Sequence, residues 1–323
     1  MEFIIPKSIN RRLLQRYRPS SIQTMTTNLK NALINIYSKD KYTLRPFKND
    51  SDLFTKYIDN KLTVQSAQKN LTSAVLAFLK ADARTPDNVI ETYQKFFDKL
   101  AKRIDEDNKY KEPTEKEEES FIPWKDILKV YKKYSLIVKE YSDQQFSSYE
   151  DKYVFLKYLL LTLYTTIPPL RGEEYVNSII IKVKSVGMYD IITQACKCNL
   201  VDLTHNNLVI SFYKTSKTHD VRIIPIPEGT VKVIKRWYEI TNGNKYLIPN
   251  LQTPSASMSQ SALSHLLQRV FKPYDISTSM LRKIYISEKM KTIHNNPKER
   301  KELAKIMGHT LATQEFIYNR FKI

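Results

Sequence analysis

Residues 105–119, DEDNKYKEPTEKEEE, carry no apolar periodicity and are almost entirely charged. A stretch with no apolar face cannot join the elements on either side into one core, so the chain is expected to fold as two domains separated by a charged linker. The length of 323 residues leaves room for two cores, since most domains run to roughly 100–200 residues. The acidic run 115–119 could instead open a helix leading into Phe121.

Upstream, the spacing predicts helices. Ile22, Met25, Leu29, Leu33 and Ile36 recur at three- and four-residue steps, with Ser20 or Ser21 as the cap. A short helix follows around residues 53–58. Two longer ones run through Val64, Ala67, Leu71, Val75 and Leu79 and through Ile90, Tyr93, Phe97, Leu100 and Ile104. Four such helices can close a small bundle over residues 20–104.

Downstream the pattern is mixed. Helices are expected at about residues 124–139 and 149–165, then β-type runs at 200–203, 207–213 and 221–227. The last two read as a hairpin with the basic tip 214–220. Beyond it lie helical stripes through Leu263, Leu266, Leu267, Val270 and Phe271 and through Leu281, Ile284 and Tyr285. Asn296-Pro297 opens a further helix with a cap and a first-turn proline, and Gly308 closes it. His309 therefore stands just outside a helix end. The expected class is mainly α with a small antiparallel β-sheet.

The chain carries 52 Lys+Arg against 34 Asp+Glu, a formal charge of +18, with 41% hydrophobic residues. Such a chain folds, and its partner is expected to be a polyanion, the alternatives being a merely soluble basic protein or a membrane-surface binder. Cys196 and Cys198 are too close for an ordinary disulfide and lack a second pair for a tetrahedral zinc site, so both are expected as reduced thiols in an intracellular protein. The most apolar stretch, 154–170, is interrupted by Lys157, several threonines and Pro168-Pro169, and no membrane span is expected.

Five residues, Arg171, Lys217, Arg282, His309 and Tyr318, are the candidates for chemistry. Pro168-Pro-Leu-Arg-Gly-Glu-Glu174 resembles the first arginine box of the tyrosine recombinases, the phage-integrase family. Ser216-Lys217-Thr218 resembles the β-hairpin lysine, Leu281-Arg282 the His-x-x-Arg box, and Met307-Gly-His309 followed by Tyr318 the terminal boxes at their usual separation. The resemblance covers the chain from about Phe121 onward. It implies a helical core-binding domain (20–104), preceded by a basic arm (1–19) and followed, after the linker, by an α+β catalytic domain (120–323). Among 21 tyrosines, only Tyr318 has the family spacing.

The roles implied are specific. Arg171 and Arg282 would hold the non-bridging oxygens of a scissile phosphate, since a guanidinium binds phosphate as a planar fork and stays charged. Lys217 would protonate the departing 5′-oxygen, His309 would donate to the phosphate or assist proton transfer, and Tyr318 would attack it. Glu174 would orient the arginine, although Arg171 and Glu174 could also be an ordinary helix-end pair. Lys214 competes with Lys217. The Ser-Lys-Thr context favours Lys217, leaving Lys214 as a phosphate contact. Because bond energy is kept in a 3′-phosphotyrosyl link, the resemblance implies no cofactor or metal. It also implies double-stranded DNA recombination sites as partner and a homotetramer on DNA. Lys7, Arg11, Arg12, Arg16 and Arg18 would add phosphate contacts, or form a solvated tail.

One position departs from the family. Ser279 stands three before Arg282, where histidine is usual; a serine can donate to phosphate but cannot act as an imidazole base. The implied function is a site-specific recombinase or integrase, closer in composition and first box to those of viruses or mobile elements in eukaryotic microbes. A type IB topoisomerase shares the chemistry, and an inactive DNA-binding relative would share the fold.

Overall fold

The computed structural model describes residues 3–110, 112–141, 146, 148–213 and 221–315. The chain divides into two compact units, Met1–Lys111 and Glu112–Ile323.

The first unit is built from α1 (Lys7–Arg16), α2 (Pro19–Tyr37), α3 (Arg45–Asn49), α4 (Ser51–Lys61), α5 (Gln65–Ala81) and α6 (Asp87–Tyr110). The four spacing-predicted helices are α2, α4, α5 and α6. Helix α5 is the centre, with every residue from Ala74 to Leu79 buried. Phe47 meets Tyr37 and Phe54 edge-on at 5.1 and 5.8 Å, and Phe54 meets Tyr93 at 5.2 Å. The Tyr93 hydroxyl donates to the Phe47 carbonyl at 3.1 Å, so the buried ring brings no unpaired polar atom with it.

Three expectations are corrected here. The basic arm is not a separate tail: Ile9 and Leu13, one helical turn apart, are buried in the unit's core, so residues 7–16 form a helix of the unit. Helix α2 starts one residue before Ser20, at Pro19 with Arg18 as cap, because proline's fixed φ suits the first helical position. The charged linker is largely helical, and of the two readings of 115–119 it is the helix leading into Phe121 that holds. Helix α6 runs on through Tyr110, and Thr114 opens α7 (Glu115–Ser120) with a capping box to Glu117. Charge removes an apolar stripe but does not break a helix.

The second unit continues with α8 (Trp124–Glu140), α9 (Tyr149–Thr166) and α10 (Gly172–Val176). Helix α9 is its central element. Phe155, Leu156 and all residues from Leu159 to Tyr164 are buried, and Phe155 stacks on Trp237 at 5.7 Å. This is where the most apolar stretch goes, and among the described residues no helix is long and apolar enough to cross a membrane.

A four-stranded sheet follows in the order β1 (Ser178–Ile181), β2 (Asn199–Asp202), β3 (Asn207–Ile210), β4 (Arg222–Pro225). The β3–β4 pair is the expected hairpin, in register Asn207↔Pro225 to Ile210↔Arg222. The sheet is mixed rather than antiparallel, because β1 pairs with β2 in parallel through a crossover containing α11 (Tyr189–Cys196). Lys197, in the left-handed region, turns the chain between Cys196 and Cys198, whose Cα atoms come within 5.2 Å and whose sulfurs are bonded. The expectation of reduced thiols is thereby corrected.

Helix α12 (Glu228–Ile240), the short pair β5 (Pro249–Asn250) and β6 (Thr253–Ser257), and helices α13 (Gln260–Val270), α14 (Thr278–Ile293) and α15 (Pro297–Met307) complete the unit. Asn296 caps α15 through the Glu299 amide, and Gly308 ends it at φ +65°, as the sequence predicts.

Candidate functional site

Four elements converge at the C-terminal end of α15. Arg171 caps α10 at the end of the Pro-Pro-Leu turn, Arg222 opens β4, Arg282 sits in the second turn of α14, and His309 follows Gly308. Three successive backbone carbonyls receive one guanidinium each. Ile306 accepts from Arg222 Nη1 at 2.6 Å, Met307 from Arg282 Nη2 at 2.9 Å, and Gly308 from Arg171 Nη2 at 2.9 Å. The last carbonyls of a helix lack intrahelical partners and carry the negative end of its dipole, which explains why cations gather there.

Each arginine has a second anchor. Arg282 Nη1 donates to the Pro169 carbonyl at 2.7 Å, tying α14 to the turn that carries Arg171. Glu174, with no exposed surface, accepts from the Arg171 amide at 2.9 Å, from Arg171 Nη1 at 3.3 Å and from Arg222 Nη2 at 2.6 Å. The i,i+3 pairing of Arg171 and Glu174 read from the sequence is present, and it is one part of a larger network. Gly308 is required on two counts. Its φ lies in the left-handed region, and an added Cβ would fall 2.9 Å from Arg222 Nη1 and 3.2 Å from Arg171 Nη1.

The cluster is unevenly open. The Arg171 side chain is 22% exposed and that of Arg222 5%, and Arg282 as a whole is 2% exposed. His309 is also buried, with Nδ1 3.5 Å from Arg282 Nη2. Burial pushes the imidazole down to about 3; the charges of Arg282, Arg171 and Arg222 add to this, and the Met307 carbonyl opposes it. At neutral pH the ring is uncharged and acts as a hydrogen-bonding group. Three guanidiniums against one carboxylate leave the cluster positive in a low-dielectric setting, an arrangement suited to an oxyanion. A guanidinium has five N–H donors, so one carbonyl and one carboxylate oxygen do not exhaust Arg171.

Of the residues singled out from the sequence, Arg171, Glu174, Arg282 and His309 are brought together. Ser279 is exposed on the first turn of α14 and lines a different hollow with Thr114, Lys116, Glu117, Ser277 and Lys283, where Lys283 pairs with Glu117. Lys214, Lys217 and Tyr318 lie outside the described residues. Tyr285 packs edge-on against Trp124 at 5.2 Å, and burial pushes its hydroxyl up to about 12, as suits a core residue. In the first unit Arg11, Arg12 and Arg16 are exposed on α1 and Arg18 is half-buried. Arg12 also donates to the Ala81 carbonyl at the end of α5, at 3.1 Å.

Arg222 was not singled out from the sequence. The signal available was alternation: on β4, Arg222 and Ile224 point inward while Ile223 and Pro225 point outward, so a charged residue occupies a core phase. No family model matches the chain, and no curated protein is significantly similar to it.

Proposed function

We propose that this chain is a site-specific DNA recombinase or integrase of the tyrosine type, cutting and rejoining strands through a 3′-phosphotyrosyl intermediate. The observation that carries the reading is the convergence of Arg171 and Arg282 beside His309 on consecutive carbonyls of one helix end. A phosphodiester is the substrate whose charge such a set complements, and each guanidinium suits its non-bridging oxygens.

In this mechanism the Tyr318 oxygen attacks phosphorus as the phenol passes its proton to solvent water. The bond from phosphorus to the 5′-oxygen breaks, and Lys217 supplies the proton that the leaving oxygen takes. Arg171 and Arg282 stabilise the charge on the pentacoordinate phosphorus. His309 acts as a neutral donor to a non-bridging oxygen, because an imidazole held near 3 is a poor proton acceptor at neutral pH. Reversal with another strand's 5′-hydroxyl restores the phosphodiester. Exposed Arg11, Arg12 and Arg16 supply salt-sensitive phosphate contacts.

Ser279 favours a second reading, an inactive DNA-binding relative, because it faces a hollow whose lining does not include Arg171, Arg282 or His309. The test is incubation of the protein and of Tyr318→Phe with nicked suicide duplexes without added metal. A denaturation-resistant 3′-linked adduct, absent in Tyr318→Phe, is expected. Tight binding with no adduct on any substrate selects the second reading. An adduct with supercoil relaxation by a monomer and no strand exchange points instead to a type IB topoisomerase.

A further inference from the structure

We infer that Arg222 is a positioning residue of the arginine cluster: it takes up the Glu174 carboxylate so that the donors and positive field of Arg171 stay directed at the bound anion. The inference rests on reading the cluster as a phosphodiester site. Glu174 Oε1 is contested by two guanidiniums, and Arg222 Nη2 holds it at 2.6 Å while Arg171 Nη1 stands at 3.3 Å. A fully buried carboxylate beside a single arginine would form a close fork-to-fork pair with it, occupying its donors and offsetting its field toward an incoming anion. Arg222 prevents this by being the tighter partner.

The geometry fits a supporting rather than a contacting role. Arg222 is buried, its guanidinium carbon lies 4.3 Å from the centre of the Tyr213 ring, and its Nη1 is held by the Ile306 carbonyl. Ring, carbonyl and carboxylate together fix the guanidinium in place. Arg171 is the most open of the three arginines and the one positioned to meet an incoming anion. Gly308 lets Arg222 and Arg171 lie against the same backbone atom, within 3.2 Å of where a Cβ would be. Displacing Arg222 therefore disturbs Arg171 by two routes, through the freed carboxylate and through the shared Gly308 surface.

The test compares Arg222→Met, Arg222→Lys and the double variant Arg222→Met/Glu174→Gln in the full chain. Measured for each are the thermal midpoint, the Kd for a suicide duplex, and the single-turnover rate of adduct formation at saturating duplex. Arg222→Met is expected to slow the rate about 100-fold while Kd changes less than about threefold. The double variant should recover at least about tenfold of that loss, because no carboxylate remains to occupy Arg171. Arg222→Lys should fall between, keeping the charge without the fork. If Arg222→Met does not fold, Arg222→Lys and the double variant carry the comparison, since neither leaves the buried carboxylate without a charged or neutralising compensation. A purely structural Arg222 predicts rates that follow the thermal midpoint and a double variant no faster than either single change. That pattern, or a wild-type rate in a folded Arg222→Lys, overturns the inference alone. A wild-type chain that forms no adduct overturns the phosphodiester reading and this inference with it.

Discussion

The two units handle buried charge in opposite ways. The first keeps an apolar, aromatic interior, and among its described residues the one buried carboxylate is Asp82, which Lys48 and Arg84 reach from more exposed positions. The second draws Arg222, Arg282, Glu174 and His309 into its interior. Burying ions costs several kcal/mol each unless they are closely paired, and well-packed hydrophobic groups often stabilise a site as well or better. The first interior is therefore what folding alone asks for, and the second holds the charged cluster on which the proposed chemistry rests.

The sharpest way to break this contrast is Arg282→Met. It leaves the Pro169 and Met307 carbonyls without their donor, so a loss of about 3 kcal/mol is expected, with adduct formation down about 10³-fold or more. Denaturant unfolding and the suicide-substrate assay read the two effects. A variant that cut DNA normally would show that the buried cation is scaffolding only. In the first unit, Phe54→Ala should cost a similar or larger amount, about 3–5 kcal/mol, because the ring is fully buried against Phe47 and Tyr93. Its unfolding transition should shift without change in the fluorescence transition of the second unit, which contains both tryptophans, Trp124 and Trp237.

Gly308→Ala is expected to cost about 1–2 kcal/mol from the left-handed backbone and to slow cleavage by crowding Arg222 and Arg171. Equal losses in stability and no rate effect would separate the turn from the cluster.

Acid pH separates the units further. His309 is held at about 3 in the folded chain, below its unfolded value near 6.5, so the unfolded state binds the extra proton. Its contribution is full above about 6.5 and is lost as pH falls from there toward 3. Burial pushes the Asp82 carboxyl up, but hydrogen bonds from Arg84 and Lys48 outweigh it and bring it to about 2. That contribution persists to about 4 and is lost only below. Tryptophan fluorescence should thus report weakening of the second unit between about pH 6 and 4, before hydrogen exchange shows weakening in the first, and His309→Gln should flatten that slope.

The smallest effect is expected at the surface. Arg11→Gln should leave stability within about 0.5 kcal/mol and lower the salt slope of DNA binding by about one. An unchanged slope would remove α1 from the DNA-binding surface.

Much of this was legible. Helix spacing located α2, α4, α5 and α6, and the Asn296, Pro297 and Gly308 signals fixed both ends of α15 because each acts through its own backbone geometry. The motif residues Arg171, Arg282 and His309, far apart in the chain, do meet in space. Less legible were features set by partners elsewhere. Helix α1 looked like a charged arm because only Ile9 and Leu13 face inward, and β1 is recognisable mainly by its parallel pairing with β2. Arg222 was hidden among the cations flanking a basic hairpin tip, and only the packing of β4 reveals which way it points.

The arginines are held by main-chain oxygens at 306, 307 and 308, not by side chains. Amino-acid replacement at 306 and 307 cannot delete those acceptors as long as the helix persists, whereas inserting or removing one residue there would rotate all three by about 100°. In a mutational library Ile306 and Met307 would accept apolar replacements that keep the helix packed and reject frame changes, whereas 171, 222, 282 and Gly308 would reject changes of residue type.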